Sequence, residues 1–312
     1  MSTADYTKHA ALSQMIPHSA LMEDYVPLDP SFKGLPWLAL EGKLLKVPRI
    51  APTDPIIDVA LPVQSGQDLN DPTTFRKDFV WAEHEFELKT IATDRVLDDR
   101  IVRELSDPNL AEQYVIQAGT EAVLQRFAQK FLYGVEAAPD KEEFNGINAL
   151  CANTVVSSGT IEKDMDSLMY FIRAGDGIPT AFLAHPSAIN AYRYHCYKAG
   201  FNPESREHPV FGLRTHHAGI PVLPNHHIVV EDEGSGVYKT TVFCVQFGIG
   251  TGVAGIFPAR NGEMGVRVDK RPDDDEDVWY YKVKLECGLA LYRESAISKC
   301  TQIDVSDFYP VT

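Results

Sequence analysis

The order of apolar and polar positions divides this chain into stretches with different periods. From Leu35 to about Phe86 apolar and polar residues alternate as in extended strands, and no helical spacing occurs. About 50 residues of non-helical chain is long for a connection inside a compact domain. We therefore predict a long two-stranded excursion that has no core of its own and needs a partner subunit, because an isolated hairpin is marginally stable in water. Its edge character follows from repeated prolines: Pro36, Pro48, Pro52, Pro55, Pro62 and Pro72.

The apolar spacing becomes helical after this excursion. A stripe that starts at Asp94 predicts a first helix, which breaks before Pro108. Asp107 suits the cap of a second helix, which is predicted to run from Pro108 to Tyr133 and to end at Gly134. This second helix would be about 39 Å long, which is too long to lie inside a small core, so we interpret it as a spine. The apolar positions are Val96, Leu97, Ile101, Val102 and Leu105 on the first stripe and Leu110, Tyr114, Val115, Ala118, Ala122, Val123, Phe127 and Phe131 on the second.

The two ends of the chain differ from this middle part. Residues 1–34 are weakly periodic and contain Pro17, Pro27 and Pro30, so we predict an extended N-terminal arm that is disordered or lies on something else. After Gly134 short elements alternate as in a mixed α/β domain. The predicted elements are a helix at 161–174, a buried strand at 181–184, a helix at 186–200, strands at 217–224, 238–247 and 264–269, a solvated acidic loop at 273–277 and a long strand at 278–292.

Composition and charge restrict the classes of function. With 44% hydrophobic residues the 312-residue chain can bury a sizeable core, and it has no apolar run long enough for a membrane span. The net charge is -15 and Lys and Arg form no cluster, which disfavours direct nucleic-acid recognition but suits a container that holds DNA without gripping it. The first residues lack a signal-peptide pattern, so we expect a protein that is made and kept in a cytoplasm.

One motif invites a nucleotide-binding interpretation. Gly250-Thr-Gly252-Val-Ala-Gly255 matches the dinucleotide fingerprint and follows a predicted strand. The fingerprint requires a helix that opens at its last glycine and receives the pyrophosphate. The following Ile256-Phe-Pro258 cannot begin that helix, so we interpret the segment as a strand with flexible or closely packed backbone. A soluble enzyme that binds a nucleotide here is the alternative from another class of protein.

The remaining chemical candidates are also weak. Paired histidines at 216–217 and 226–227 have no HExxH or CxxC companion and are predicted to lie in loops. The nucleophile elbow and the phosphate loop are absent as sequence patterns. We therefore predict no catalytic, cofactor-binding or metal-binding residue. The cysteines are widely spaced and are interpreted as buried free thiols: Cys151, Cys196, Cys244, Cys287 and Cys300.

The order of the segments resembles the major capsid protein of tailed bacteriophages, which has the Hong Kong 97-type fold. The resemblance covers nearly the whole chain and depends on the shared order of short stretches, each of which is weak alone. These stretches are Ala92–Asp99, Phe131–Gly134, Glu143–Ile147, Asp166–Leu168, Pro179–Ile189, Ala218–Val222, Val245–Gly248 and Glu286–Leu291.

This resemblance implies an α+β fold that has an N-terminal arm, an extended β-hairpin called the E-loop, a long spine helix with a peripheral β-sheet, and an inserted α/β axial domain. Some family members carry a scaffolding extension before the arm; we expect none here, with scaffolding supplied by a separate protein or removed by processing. Others crosslink subunits through a Lys and an Asn. Lys43, Lys46 and Lys77 lie in the predicted E-loop, but we predict no crosslink. The implied ranges are 1–34 for the arm, 35–86 for the E-loop, 87–144 with 278–312 for the peripheral domain, and 145–277 for the axial domain.

The function that the resemblance implies is self-assembly without catalysis. We expect hexamers and pentamers that close into an icosahedral head shell around phage genomic DNA, assembled in the host cytoplasm and found in the virion. The expected partners are further copies of this chain and portal, scaffolding and decoration or cement proteins, with no cofactor, no membrane and no sequence-specific DNA binding. The alternative within the same fold is an encapsulin-like nanocompartment, which encloses enzyme cargo instead of DNA.

Overall fold

A computed structural model describes residues 14–17, 34–50, 81–98, 108–136, 143–259, 265–273 and 278–309. The strands are Gln14–Pro17 (β1), Trp37–Leu40 (β2), Leu44–Ile50 (β3), Trp81–Glu87 (β4), Lys89–Asp98 (β5), Asn153–Val156 (β6), Ala181–Ala184 (β7), Glu204–His208 (β8), Gly212–His217 (β9), Ile220–Pro224 (β10), Val230–Asp232 (β11), Tyr238–Val245 (β12), Val253–Pro258 (β13), Gly265–Asp273 (β14), Val278–Leu291 (β15) and Ile297–Asp304 (β16). The helices are Pro108–Tyr133 (α1), Ile147–Leu150 (α2), Ile161–Ala174 (α3) and Pro186–Lys198 (α4), with short 3-10 turns at Glu294–Ala296 and Ser306–Phe308.

Helix α1 is the predicted spine, and its bounds are confirmed. The helix stops at Gly134, where the backbone packs closely on the segment around Phe144 and Gly146. Gly134 donates a backbone hydrogen bond to the Lys130 carbonyl at 2.8 Å, and a β-carbon at Gly134 would overlap the carbonyl oxygen of Phe144. The fully or nearly fully buried residues of α1 are Val123, Leu124, Phe127, Ala128, Phe131 and Leu132.

The helix predicted from Asp94 is wrong over its described part. Residues 89–98 form β5, which pairs antiparallel with β15 from Cys287 opposite Lys89 to Val278 opposite Asp98. Over so short a run the same apolar positions fit a helix or a strand, and pairing with a long neighbouring strand decides between them. Residues 99–107, which complete the predicted stripe, lie outside the described residues.

The first sheet has the strand order β1-β14-β15-β13-β2, and β5 also pairs with β15. Helix α1 crosses this sheet closely, since a β-carbon at Gly119 would lie 2.7 Å from the Val283 side chain. The ammonium group of Lys270 lies 3.0 Å from Glu112 of α1 and 4.5 Å from the ring centre of Trp279. The long strand predicted at 278–292 is β15, and it forms the centre of this sheet.

The second sheet has the order β6-β16-β12-β7-β10-β9-β8, with β11 on β12. Both faces of this sheet are covered by other elements. Successive side chains of a strand point to opposite sides, so alternate residues enter two different cores. In β7, Ala181 and Leu183 belong to the core that contains α1. Phe182 and Ala184 belong to the core formed with α3 and α4. The predicted helices at 161–174 and 186–200 and the buried strand at 181–184 are therefore confirmed, with α4 ending at Lys198.

Strand pairing crosses the predicted boundary at 277–278. Strands β13 and β14 lie in the predicted axial range, yet they pair with β15 in the first sheet. Strand β16 lies in the predicted peripheral range, yet it pairs with β12 and β6 in the second sheet. The chain thus passes between the sheets more than once, and the domain ranges remain a prediction. Of the predicted arm, β1 is described and pairs with β14.

Candidate assembly surface

The predicted E-loop range begins with β2, which pairs with β13 in the first sheet, and continues as an antiparallel pair of β3 and β4 in which Ile50 lies opposite Trp81. Val47 and Phe86 on the inner face of this pair are only 4% and 9% exposed and belong to the main core. The prediction that the hairpin has no core is therefore wrong for its base, which packs on its own subunit. Residues 51–80, which complete the predicted E-loop, lie outside the described residues.

The outer face of the β3–β4 pair carries charge. The Lys46 ammonium lies 3.0 Å from Glu85 and 3.1 Å from Glu83, and hydrogen bonds to these two carboxylates raise the pKa of Lys46. All three side chains are exposed, so the ion pairs contribute little to the stability of the subunit. Charged side chains on an exposed strand pair prevent unspecific strand addition and leave a polar surface for specific contacts.

Large apolar side chains stay exposed around the second sheet. Ile178 is 77% exposed, and Phe201 and Leu213 are each 70% exposed. Tyr170, Tyr194 and Tyr197 on the outer faces of α3 and α4 add to this surface. Exposed apolar groups mark a surface that contacts another protein where they form a contiguous patch. We call the set Tyr170, Ile178, Tyr194, Tyr197, Phe201 and Leu213 the apolar rim.

The Gly250–Gly255 segment lies in a turn and then in β13. Gly250 has φ +78°, a left-handed conformation that favours glycine. Gly255 lies beneath the indole of Trp37 in β2, and a β-carbon there would overlap the Trp37 ring. A strand stands where the nucleotide fingerprint requires a helix. The interpretation as closely packed backbone is confirmed.

Substitution of Gly255 by Ala is expected to lower the free energy of unfolding by about 1–3 kcal/mol, because the Trp37 ring, which packs on Gly255, must shift away from the new β-carbon. Gly42→Ala is the matched control, since no atom lies within 4 Å of its added β-carbon. Guanidinium unfolding followed by tryptophan fluorescence measures both variants. Equal midpoints for Gly255→Ala, Gly42→Ala and the original chain would contradict the assigned packing.

The histidine pairs differ in environment. His226 and His227 follow β10 in a turn, as predicted, but His216 and His217 are buried at the end of β9 and are not loop residues. The Nε2 atom of His217 lies 2.9 Å from Asp166 of α3, and its Nδ1 atom lies 3.1 Å from the Tyr192 hydroxyl of α4. These two side-chain contacts of His217 link the β8–β9 hairpin to both helices. Sequence reasoning missed it because Asp166 and Tyr192 are 51 and 25 residues away along the chain.

The cysteines are free thiols, four of them buried and Cys151 partly buried. Burial raises the pKa of Cys151 to about 11 and that of Cys300 to about 12, which leaves very little reactive thiolate at neutral pH. Within the described ranges, no group of three or more His, Cys, Asp or Glu side chains could hold a metal ion. In the same part of the chain, no helix has the length and apolar character that a membrane span requires.

Comparison with known proteins identifies shell proteins as relatives. The family model described as "Type 2A encapsulin shell protein SrpI-like" matches residues 147–307, slightly more than half of the chain. The type 2A encapsulin shell protein SrpI of Synechococcus elongatus is 24% identical over 283 residues, which cover 88% of this chain and 86% of that protein.

Solved structures share the fold. The holo-SrpI encapsulin complex of Synechococcus elongatus has a TM-score of 0.67 at 20% identity, covering 89% of this chain and 88% of that chain. The capsid of an empty GTA particle gives 0.60 at 14% identity, with 87% and 89% covered. A structure from Mycobacterium phage Bobi gives 0.54 at 13% identity, with 88% and 90% covered. The predicted Hong Kong 97-type capsid fold is therefore confirmed.

Proposed function

Since the chain belongs to the SrpI-like family of type 2A encapsulin shell proteins, we propose that its copies close into a hollow shell that encloses enzyme cargo. The observation that carries this proposal is the match of the family model to residues 147–307. The relative aligned over 88% of the chain, itself an encapsulin shell protein, supports it. The encapsulin alternative of the sequence analysis thus becomes the preferred function, and the phage head becomes the alternative.

The charge of the chain suits this function. An acidic balance of 44 Asp and Glu against 29 Lys and Arg disfavours a surface that grips DNA phosphates. Phage capsids resemble this chain in fold alone, at 13% identity for the phage structure above. Portal, scaffolding and decoration partners belong to the phage alternative, whereas an encapsulin shell needs further copies of this chain and its cargo. We place the assembled compartment in the cytoplasm.

Assembly requires contacts that repeat with symmetry. The charged outer face of β3–β4 and the apolar rim belong to different elements, and they offer two kinds of surface for contact with neighbouring copies. Many copies of a modest contact give a closed shell that is far more stable than any single pair. The function is mechanical and needs no catalytic step by the shell protein.

The contents of purified particles test the proposal. We expect negative-stain images of closed particles without tails, an absorbance spectrum typical of protein alone, and one co-purifying enzyme identified by mass spectrometry when the chain is isolated from its native host. DNA of uniform length that survives nuclease treatment inside tailed particles would establish the phage alternative. A discrete small oligomer with bound nucleotide would contradict both kinds of shell.

A further inference from the structure

A cavity of about 520 Å³ lies between the last turns of α1 and the turn that precedes β11. Its volume falls in the range of small-molecule sites, about 300–1,000 Å³. The helix contributes Arg126, Gln129, Lys130 and Tyr133 to the wall. The opposite side is formed by His185, His226, His227 and Tyr309, together with Ile228, Val229 and Val230.

The charge of this wall is opposite to that of the chain as a whole. None of the described residues that line the cavity is an Asp or Glu, although the net charge of the protein is -15. Glu143 contacts Lys130 closely but lies 3.8 Å from Arg126, and it is not a wall residue. Arg126 and Lys130 share this single carboxylate, and Glu231 acts on Tyr133 from outside the wall, so the two cations are only partly neutralised and the wall attracts anions.

The polar groups of the wall act as donors. The Nδ1 atom of His185 accepts a hydrogen bond from the Ser187 backbone N–H at 3.2 Å, so the neutral ring carries its proton on Nε2. The hydroxyl oxygen of Tyr133 accepts from the Val229 backbone N–H at 3.1 Å, which leaves the hydroxyl proton to be donated. His185 also caps α4, so the positive end of that helix dipole lies beside the cavity.

The imidazoles are crowded. The ring centre of His185 lies 6.4 Å from that of His226 and 5.9 Å from that of Tyr309. Burial, together with the nearby His226, holds the pKa values of His185 and His227 below the usual range. A negatively charged ligand beside the rings would favour their protonated forms and so raise these pKa values.

We propose that this cavity binds a phosphate-class anion, either free or carried on a small organic molecule. Arg126 would supply the permanent charge, and Gln129, Tyr133 and His185 would supply neutral donors to the oxygens. The aromatic and imidazole rings around Tyr309 leave room for an organic group attached to the phosphate. The proposal is independent of whether the shell contains cargo or DNA.

Calorimetric titration of assembled particles with inorganic phosphate, AMP and adenosine tests it. We expect saturable binding of phosphate or AMP and none of adenosine. Tighter binding of AMP than of phosphate would assign the ligand as a phosphate ester, and the reverse order would assign it as the free anion. Adenosine binding as strong as that of AMP, or no saturable binding of any of the three, would overturn the proposal.

Two glutamines on one helix provide a matched pair of variants. Gln129→Glu places a carboxylate in the wall and should weaken anion binding by at least about tenfold, because like charges are then brought together. Gln125→Glu makes the same change one turn earlier, at an exposed position outside the wall, and should leave affinity within about twofold. Equal affinities of the two variants would overturn the proposal.

Electron microscopy of each variant separates loss of binding from loss of assembly. Should Gln129→Glu fail to form particles, Arg126→Gln serves as the second variant, since Arg126 is exposed and the loss of its permanent charge should weaken binding without loss of fold. Binding by Arg126→Gln that equals the original affinity would then count against the proposal. Absence of cargo from the particles would contradict the proposed function but not the proposed anion-binding site.

Discussion

Replacement of residues 51–80 by an Asn-Gly turn is expected to abolish closed shells while the subunit stays folded. Ile50 and Trp81 are paired, so a two-residue turn of this type can join β3 to β4 directly. Val47 and Phe86 remain in the core of the shortened hairpin, so the base of the hairpin keeps its packing on the subunit. The contact that they would make is repeated in every copy, so its loss acts on the whole shell.

Size-exclusion chromatography and negative-stain microscopy measure this result. We expect soluble single subunits or small oligomers and no closed particles, with a far-UV circular dichroism spectrum of the same shape as that of the original chain. A variant with Lys46→Ala alone is the control for the charged face of the hairpin base, and it should still assemble, because exposed ion pairs are weak. Closed particles of normal diameter from the shortened chain would exclude residues 51–80 as an assembly element.

Truncation of Phe127 to Ala is expected to lower the free energy of unfolding of the subunit by about 3–5 kcal/mol. Phe127 is fully buried on the spine helix. Its ring centre lies 5.7 Å from that of Trp37 in β2, 5.8 Å from that of Phe144 and 6.1 Å from that of Phe131. Loss of this ring leaves a cavity where the spine, the first sheet and the segment after the spine meet, and a close-packed interior cannot refill it.

Tyr114→Ala on the same helix is the matched control, since Tyr114 is 66% exposed and its truncation should change the free energy of unfolding by about 0.5 kcal/mol or less. Guanidinium unfolding in the shortened, non-assembling background measures the subunit without contributions from neighbouring copies. Equal losses for Phe127→Ala and Tyr114→Ala would show that Phe127 is not a central core residue.

The elements that depend on local periodicity were predictable from the sequence. The spine helix at 108–133, the helices that begin at 161 and 186, and the long strand that begins at 278 have the predicted type and nearly the predicted bounds. A helix of 26 residues carries its own hydrogen bonds and repeats its apolar stripe many times. The order of these elements was also sufficient to indicate the capsid fold.

The candidate site was less accessible to sequence reasoning, because its groups come together from distant parts of the chain. Glycine at 255 can be explained only when Trp37 is seen to lie on it, and the row from Asp166 through His217 to Tyr192 joins three separate elements. The cationic cavity likewise combines α1 with a turn about 100 residues later. The spacing of residues along the chain does not show which of these distant groups come into contact in the fold.

The sequence by itself determined the spine helix, the helices that begin at 161 and 186, the long strand that begins at 278, the absence of a nucleotide-binding helix after Gly255, and a capsid-type order of segments. Only the tertiary structure decided that residues 89–98 form a strand, that the base of the hairpin is buried on its own subunit, and that β13, β14 and β16 cross the expected domain boundary. The physical reason is that a helix satisfies its backbone within one segment, whereas a strand obtains its hydrogen bonds and half of its burial from chain far away in sequence.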